Sequence, residues 1–179
     1  ADAALLAAAR LLPADPERPG AGAAGGTGFA LLAWGADLVP GAAEVARLIV
    51  APRSLKHRAL LALTYGSGLR VSEVVRVRIK DVDRERMRLF VGDGKGHKDR
   101  YTVLSARALS LLEDLWREER PSEYFFTRAG GDRPLNDCTA QAVYYAALRT
   151  SGVRRVGGSH VRRHCFATHL MEAGVDVYT

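Results

Sequence analysis

Two cysteines, Cys138 and Cys165, are all that 179 residues hold. That is too few for a disulfide framework, and a reducing cytoplasm is the expected compartment. No apolar run approaches the roughly 20 residues that a membrane span requires, which sets a membrane partner aside. The opening Ala1-Asp2-Ala3-Ala4-Leu5-Leu6 has no basic n-region, so it makes a poor signal peptide, and it has no initiating Met. The chain reads as a fragment at both ends. Internal repeats are absent, and so is the glycine-spaced Gly-Lys-Ser/Thr of a Walker-type phosphate loop.

What is abundant is positive charge. The formal net charge is +6 and the pI about 9.7. Residues 1 to 40 hold two Arg against four acidic side chains, so residues 41 to 179 carry +8. A basic body suits a polyanion such as nucleic acid. With no base-reading motif in view, the expected binding to duplex DNA is weak and mostly sequence-independent.

Composition divides the chain into two parts. Residues 1–36 are dominated by Ala, Gly, Leu and Pro, with little to bury and much backbone entropy to lose. They read as a poorly ordered leader or linker that adds nothing to DNA affinity. Residues 37–179 read as one domain of α+β class, mainly α-helical, with a small antiparallel sheet of two or three strands. Apolar spacing predicts a helix over Ala42 to Val50, with Val45, Leu48 and Ile49 inward. A second, capped by Ser54, presents Leu55, Ala59, Ala62 and Leu63 and ends at Gly66. A third, capped by Ser72, runs to about Arg78. Met87 to Val91 and Arg100 to Leu104 alternate about a glycine-rich loop and read as a hairpin, with a third strand near Lys80 to Asp83. Ala106 to Glu119 is an amphipathic helix burying Leu109, Leu112, Leu115 and Trp116. Tyr124-Phe125-Phe126 reads as a short buried segment. A further helix, capped by Asn136 or Asp137, reaches about Arg149, turning Val143, Tyr144 and Ala147 inward and Tyr145 and Arg149 outward.

The densest chemistry lies near the end, in Ser159-His160-Val161-Arg162-Arg163-His164-Cys165-Phe166. Gly157-Gly158 precedes it, Ser159 is a ready N-cap, and Gly174 stops the helix. His160 and Arg163, three residues apart, share a helical face at its first turn. An imidazole, a guanidinium and free backbone N–H groups together suit a phosphate. Upstream stands Gly68-Leu69-Arg70-Val71-Ser72-Glu73, in which Glu73 is spaced to accept from Arg70 and hold its fork still. Between the two lies Gly94-Lys95-Gly96-His97-Lys98-Asp99-Arg100.

These three motifs in this order resemble the catalytic domain of the tyrosine recombinases, the phage-integrase family, over about residues 37 to 179. The resemblance implies site-specific DNA recombination and integration by metal-free phosphodiester cleavage and rejoining through a 3′-phosphotyrosine, with double-stranded DNA as partner and self-assembly on DNA in the intact parent. It implies no cofactor and no metal. It assigns Arg70 and Arg163 to a phosphate clamp, His160 to a further donor or proton-transfer role and Lys95 to the general acid, with Glu73 and His164 as support. Arg70, His160 and Arg163 are then expected to crowd one basic concavity, with Lys95 reaching its edge.

The chain departs from the family pattern at two points. Arg162 stands where the family usually has an aliphatic residue, so its head must reach solvent, an acid or DNA. The family's nucleophilic tyrosine follows Leu-Gly-His, a full helix beyond Gly174-Val175-Asp176. No tyrosine of this chain is therefore expected to serve, and Tyr178, at the start of that next helix, is expected to be a packing or surface residue. The 179 residues are expected to bind DNA without cutting it. The alternative is a non-catalytic or decayed DNA-binding module derived from an integrase. A zinc site on His160 and His164 is the weaker rival, since no glutamate base lies between them and His169 falls off their face.

Overall fold

The computed structural model describes residues 40–92, 99–129 and 131–153. In chain order these form α1 (Ala42–Val50), α2 (Leu55–Gly66), α3 (Val71–Val74), a 3₁₀ turn (Ile79–Asp81), β1 (Val82–Asp83), β2 (Arg88–Val91), β3 (Arg100–Val103), α4 (Ala106–Glu119) and α5 (Asp137–Ser151). The helix expected over the Ser159 motif lies outside the described residues, as do residues 1–36.

Helix α2 is the axle. Eight consecutive residues, Ala59 to Gly66, are buried all round it, because α1, α3, α4 and α5 pack on different sides. The single apolar face expected from its spacing is too narrow. Its small residues, Ala59 and Ala62, sit at 0% exposure and let neighbours close in. Ser54 precedes α2 without giving its side chain to a cap. The helix ends in a Schellman turn: the Leu69 N–H donates to Thr64 O at 3.1 Å and the Gly68 N–H to Tyr65 O at 3.3 Å. Gly68 has φ +58°, which only glycine adopts cheaply. The turn reverses the chain and delivers Leu69 into the core and Arg70 to its rim.

Helix α3 corrects the expected cap and length. Ser72 lies inside it, Arg70 is its N-cap, and it lasts one turn. Glu73 reaches back to accept from the Arg70 N–H at 2.8 Å, so the carboxylate satisfies the helix start that a serine was expected to satisfy. Beyond it, the segment 77–79 pairs with 123–125 through Ile79 N–H to Glu123 O (2.9 Å) and Phe125 N–H to Val77 O (3.1 Å). That pairing lodges Phe125 and Phe126 in the core, as expected, at 5% and 0% exposure.

The sheet is antiparallel, ordered β1-β2-β3. Val82 faces Leu89, and across the hairpin Leu89 faces Thr102, Phe90 faces Tyr101 and Val91 faces Arg100. Alternation therefore puts Leu89, Val91, Arg100 and Thr102 on the inner side, with Phe90 and Tyr101 on the outer side, their ring centroids 5.4 Å apart.

Helix α4 buries Ala108, Leu112 and Leu115, with Leu109 partly covered. Trp116 was expected inside and is 39% exposed. It follows Leu115 by about 100° of helical turn, which carries it off the stripe. Arg120 instead lies over its ring, 4.0 Å from the centroid. Helix α5 matches its expected face: Val143, Tyr144 and Ala147 are buried, while Tyr145 and Arg149 are exposed. Asn136 is its cap, accepting from the Thr139 N–H at 2.7 Å. Asn136→Ala is expected to lower the unfolding free energy by about 1 kcal/mol, read from the urea midpoint.

Candidate functional site: a clamp arginine on a buried carboxylate

The site grows from the Schellman turn. Arg70 projects from the joint between α2 and α3, its side chain 34% exposed, while that of Glu73 is only 6% exposed. Arg70 Nη1 donates to Glu73 Oε1 at 2.8 Å, as the three-residue spacing predicts. Among the described residues nothing accepts from Arg70 Nη2.

Sequence reasoning missed the second partner. Arg100, first residue of β3, donates Nη1 to Glu73 Oε1 at 2.9 Å and Nη2 to Glu73 Oε2 at 2.8 Å. This is a bidentate fork on a buried carboxylate. Two residues on, and on the same inner side of β3, Thr102 Oγ1 donates to Ser67 O at 2.9 Å. The strand that leaves the glycine-rich loop is thus stitched to the α2–α3 turn at two points. The available signal was stoichiometric. A buried carboxylate has about four acceptor directions, more than one neighbouring arginine fills, and Arg100 stood inside a motif already singled out.

Glu73 therefore accepts four hydrogen bonds, counting that from the Arg70 N–H. Burial pushes its carboxyl up, but hydrogen bonds from Arg100 and the Arg70 N–H, the charge of Arg100 and the Arg70 guanidinium together win, and its pKa falls from 4.5 to about 2. Arg100 is held more firmly protonated by its hydrogen bonds to Glu73, against the opposing effect of its own burial. Two guanidiniums on one carboxylate leave a local charge of +1, which fits an anion.

Lys95, His160, Arg163 and His164 lie outside the described residues, as does Tyr178. The expected convergence of Arg70 with His160 and Arg163 therefore falls outside them too, as does the rival zinc pair. Among the described residues, no group of three or more His, Cys, Asp or Glu could share a metal ion. Among those residues, too, no helix is long and apolar enough to cross a membrane.

Comparison with known proteins identifies the family. The model of the phage integrase family matches residues 41–179. A model of the glycerate kinase family matches residues 1–68, overlapping the first across α1 and α2, the helices that anchor the core. The Sinorhizobium fredii protein y4qK, named for an integrase/recombinase, is 42% identical over 139 residues, covering 76% of this chain and 44% of its own. The crystal structure of XerA recombinase superposes with a TM-score of 0.65 at 28% identity, over 75% of this chain and 49% of that one. XerH recombinase bound to its palindromic difH substrate shares the fold, with a TM-score of 0.64 at 24% identity over 74% of this chain and 41% of that one. The family match, the relatives and the fold together define a tyrosine recombinase catalytic domain. The chain belongs to the phage integrase family, and it spans about half the length of the relatives it matches.

Proposed function

We propose that this chain supplies the catalytic domain of a site-specific DNA recombinase or integrase, acting on double-stranded DNA in the cytoplasm. The observation that carries the reading is the Arg70 fork, half committed to a buried carboxylate and half open at the rim, in a chain of this family. A guanidinium suits a phosphodiester because it is planar, permanently charged and able to bind two oxygens at once. In this reading residues 37–179 form the catalytic domain, with residues 1–36 a leader outside it.

Arg70 and Arg163 hold the two non-bridging oxygens of the scissile phosphate, and His160 adds a donor or moves a proton. His164 supports His160 and Arg163. A tyrosine oxygen attacks phosphorus as its hydroxyl proton passes to the proton-transfer partner, His160, the bond to the 5′ oxygen breaks, and Lys95 gives a proton to that oxygen. The 3′ phosphate stays on the tyrosine until a 5′ hydroxyl reverses the step. No metal or cofactor takes part, since two guanidiniums and an ammonium supply the charge stabilisation. Copies of the intact protein assemble on DNA to exchange strands.

The nucleophile in this reading is a tyrosine beyond Thr179, with Tyr178 outside the chemistry. The test is a nicked suicide substrate that traps the phosphotyrosine adduct on a denaturing gel. Residues 1–179 are expected to give no adduct, with or without Tyr178→Phe, and an intact parent that carries the family's nucleophilic tyrosine is expected to give one. An adduct from residues 1–179 that vanishes in Tyr178→Phe would place the nucleophile here instead.

A further inference from the structure

Glu73 presents two oxygens to two arginines, and the arginines do not share them equally. Arg100 spends both η nitrogens on both oxygens, at 2.9 and 2.8 Å, whereas Arg70 spends one, at 2.8 Å. Glu73 stands three residues after Arg70 and already accepts from its N–H, so the carboxylate is near enough to take the whole fork. What occupies the second oxygen's remaining direction is Arg100. Its own donors are used inward, on the same side of β3 as Thr102, which is tied to Ser67 O.

We infer that Arg100 is a positioning residue for Arg70: by holding both oxygens of Glu73, it keeps that carboxylate from closing on the Arg70 fork and leaves Arg70 Nη2 free for a phosphate oxygen. The inference rests on the proposed reading of Arg70 as a phosphate ligand. Arg100 itself does not touch the phosphate. Without it, Glu73 pairs bidentately with Arg70, and the clamp is spent on the protein's own acid instead of DNA.

The experiment is a salt titration of short duplex DNA against the full chain and four variants, with circular dichroism to check the fold. Each phosphate contact contributes about one unit to the slope of log affinity against log salt. Arg100→Ala is expected to bind about tenfold more weakly and to lose about one unit of slope. Arg100→Ala with Glu73→Gln removes the competing acid and is expected to recover both. Arg100→Ala with Glu118→Gln restores the same net charge at an exposed site on α4 and is expected to recover neither the slope nor most of the affinity. Arg100→Lys, a single-point partner, is expected to fall between, and it carries the test if Arg100→Ala does not fold.

Recovery in both double variants would reduce the effect to net charge and overturn the inference. Recovery in neither would make Arg100 a direct DNA contact and overturn it equally. A wild-type chain with no salt-dependent binding would instead defeat the reading of the site. In that event the inference is decided by ¹⁵N spectra of the Arg70 guanidinium, where Arg100→Lys must slow rotation about Nε–Cζ. Unchanged rotation overturns it.

Discussion

Glu73→Gln is expected to lower the unfolding free energy at pH 7 by about 3 kcal/mol, and to lower it less and less as the solution is acidified. The magnitude follows from a carboxyl whose pKa falls from 4.5 to about 2 on folding, at about 1.4 kcal/mol per unit. Its side chain is 6% exposed, so water does little to screen the interaction. The sign is that of a depressed acid. Between the two pKa values the folded state binds fewer protons than the unfolded one, so added protons favour unfolding. The contribution is complete above about pH 4.5 and is lost as the pH drops through about 2. Urea titrations of both proteins at pH 7, 4 and 2.5 check it. A stability gap independent of pH would show that the amide substitution acts through shape and not through the missing charge.

That carboxylate also marks the boundary between what could be read from the residues alone and what could not. The bounds of α1, α2 and α4 follow from apolar spacing and from the Pro, Gly and Ser residues around them, all local features. The hairpin follows from alternation on either side of a glycine-rich loop. The pairing of Arg70 with Glu73 is local too, three residues along one turn. Arg100 lies 27 residues from Glu73, and nothing periodic joins them; the contact exists because the sheet folds back onto the α2–α3 turn. Trp116 was misplaced for a related reason. Its neighbour Leu115 is fully buried, and one step of a helix is enough to separate core from rim. The all-round burial of α2 was hidden because it depends on four partners, each contributed by a different part of the chain.

The same geometry separates the structural from the chemical role of the clamp, and Arg70→Ala tests it. Removing Arg70 leaves Glu73 with its bidentate Arg100 partner and with the residue-70 N–H, so the carboxylate stays satisfied and the fold should hold. On the proposed reading, what disappears is one pre-aimed donor to the phosphorane oxygens. In an intact parent that carries the nucleophilic tyrosine of the proposed reading, Arg70→Ala is therefore expected to slow adduct formation on a suicide substrate by about 10²–10³-fold, the usual loss for one such donor. DNA affinity should fall far less, because the remaining basic surface still meets the backbone. Arg70→Lys should recover the affinity and little of the rate, since an ammonium is a point charge and cannot bind two oxygens in one plane. Single-turnover gels give the rate, fluorescence anisotropy the affinity, and a melting curve the fold. A variant that melts like the wild type and cleaves at its rate would remove Arg70 from the reacting phosphate, and the proposed clamp with it.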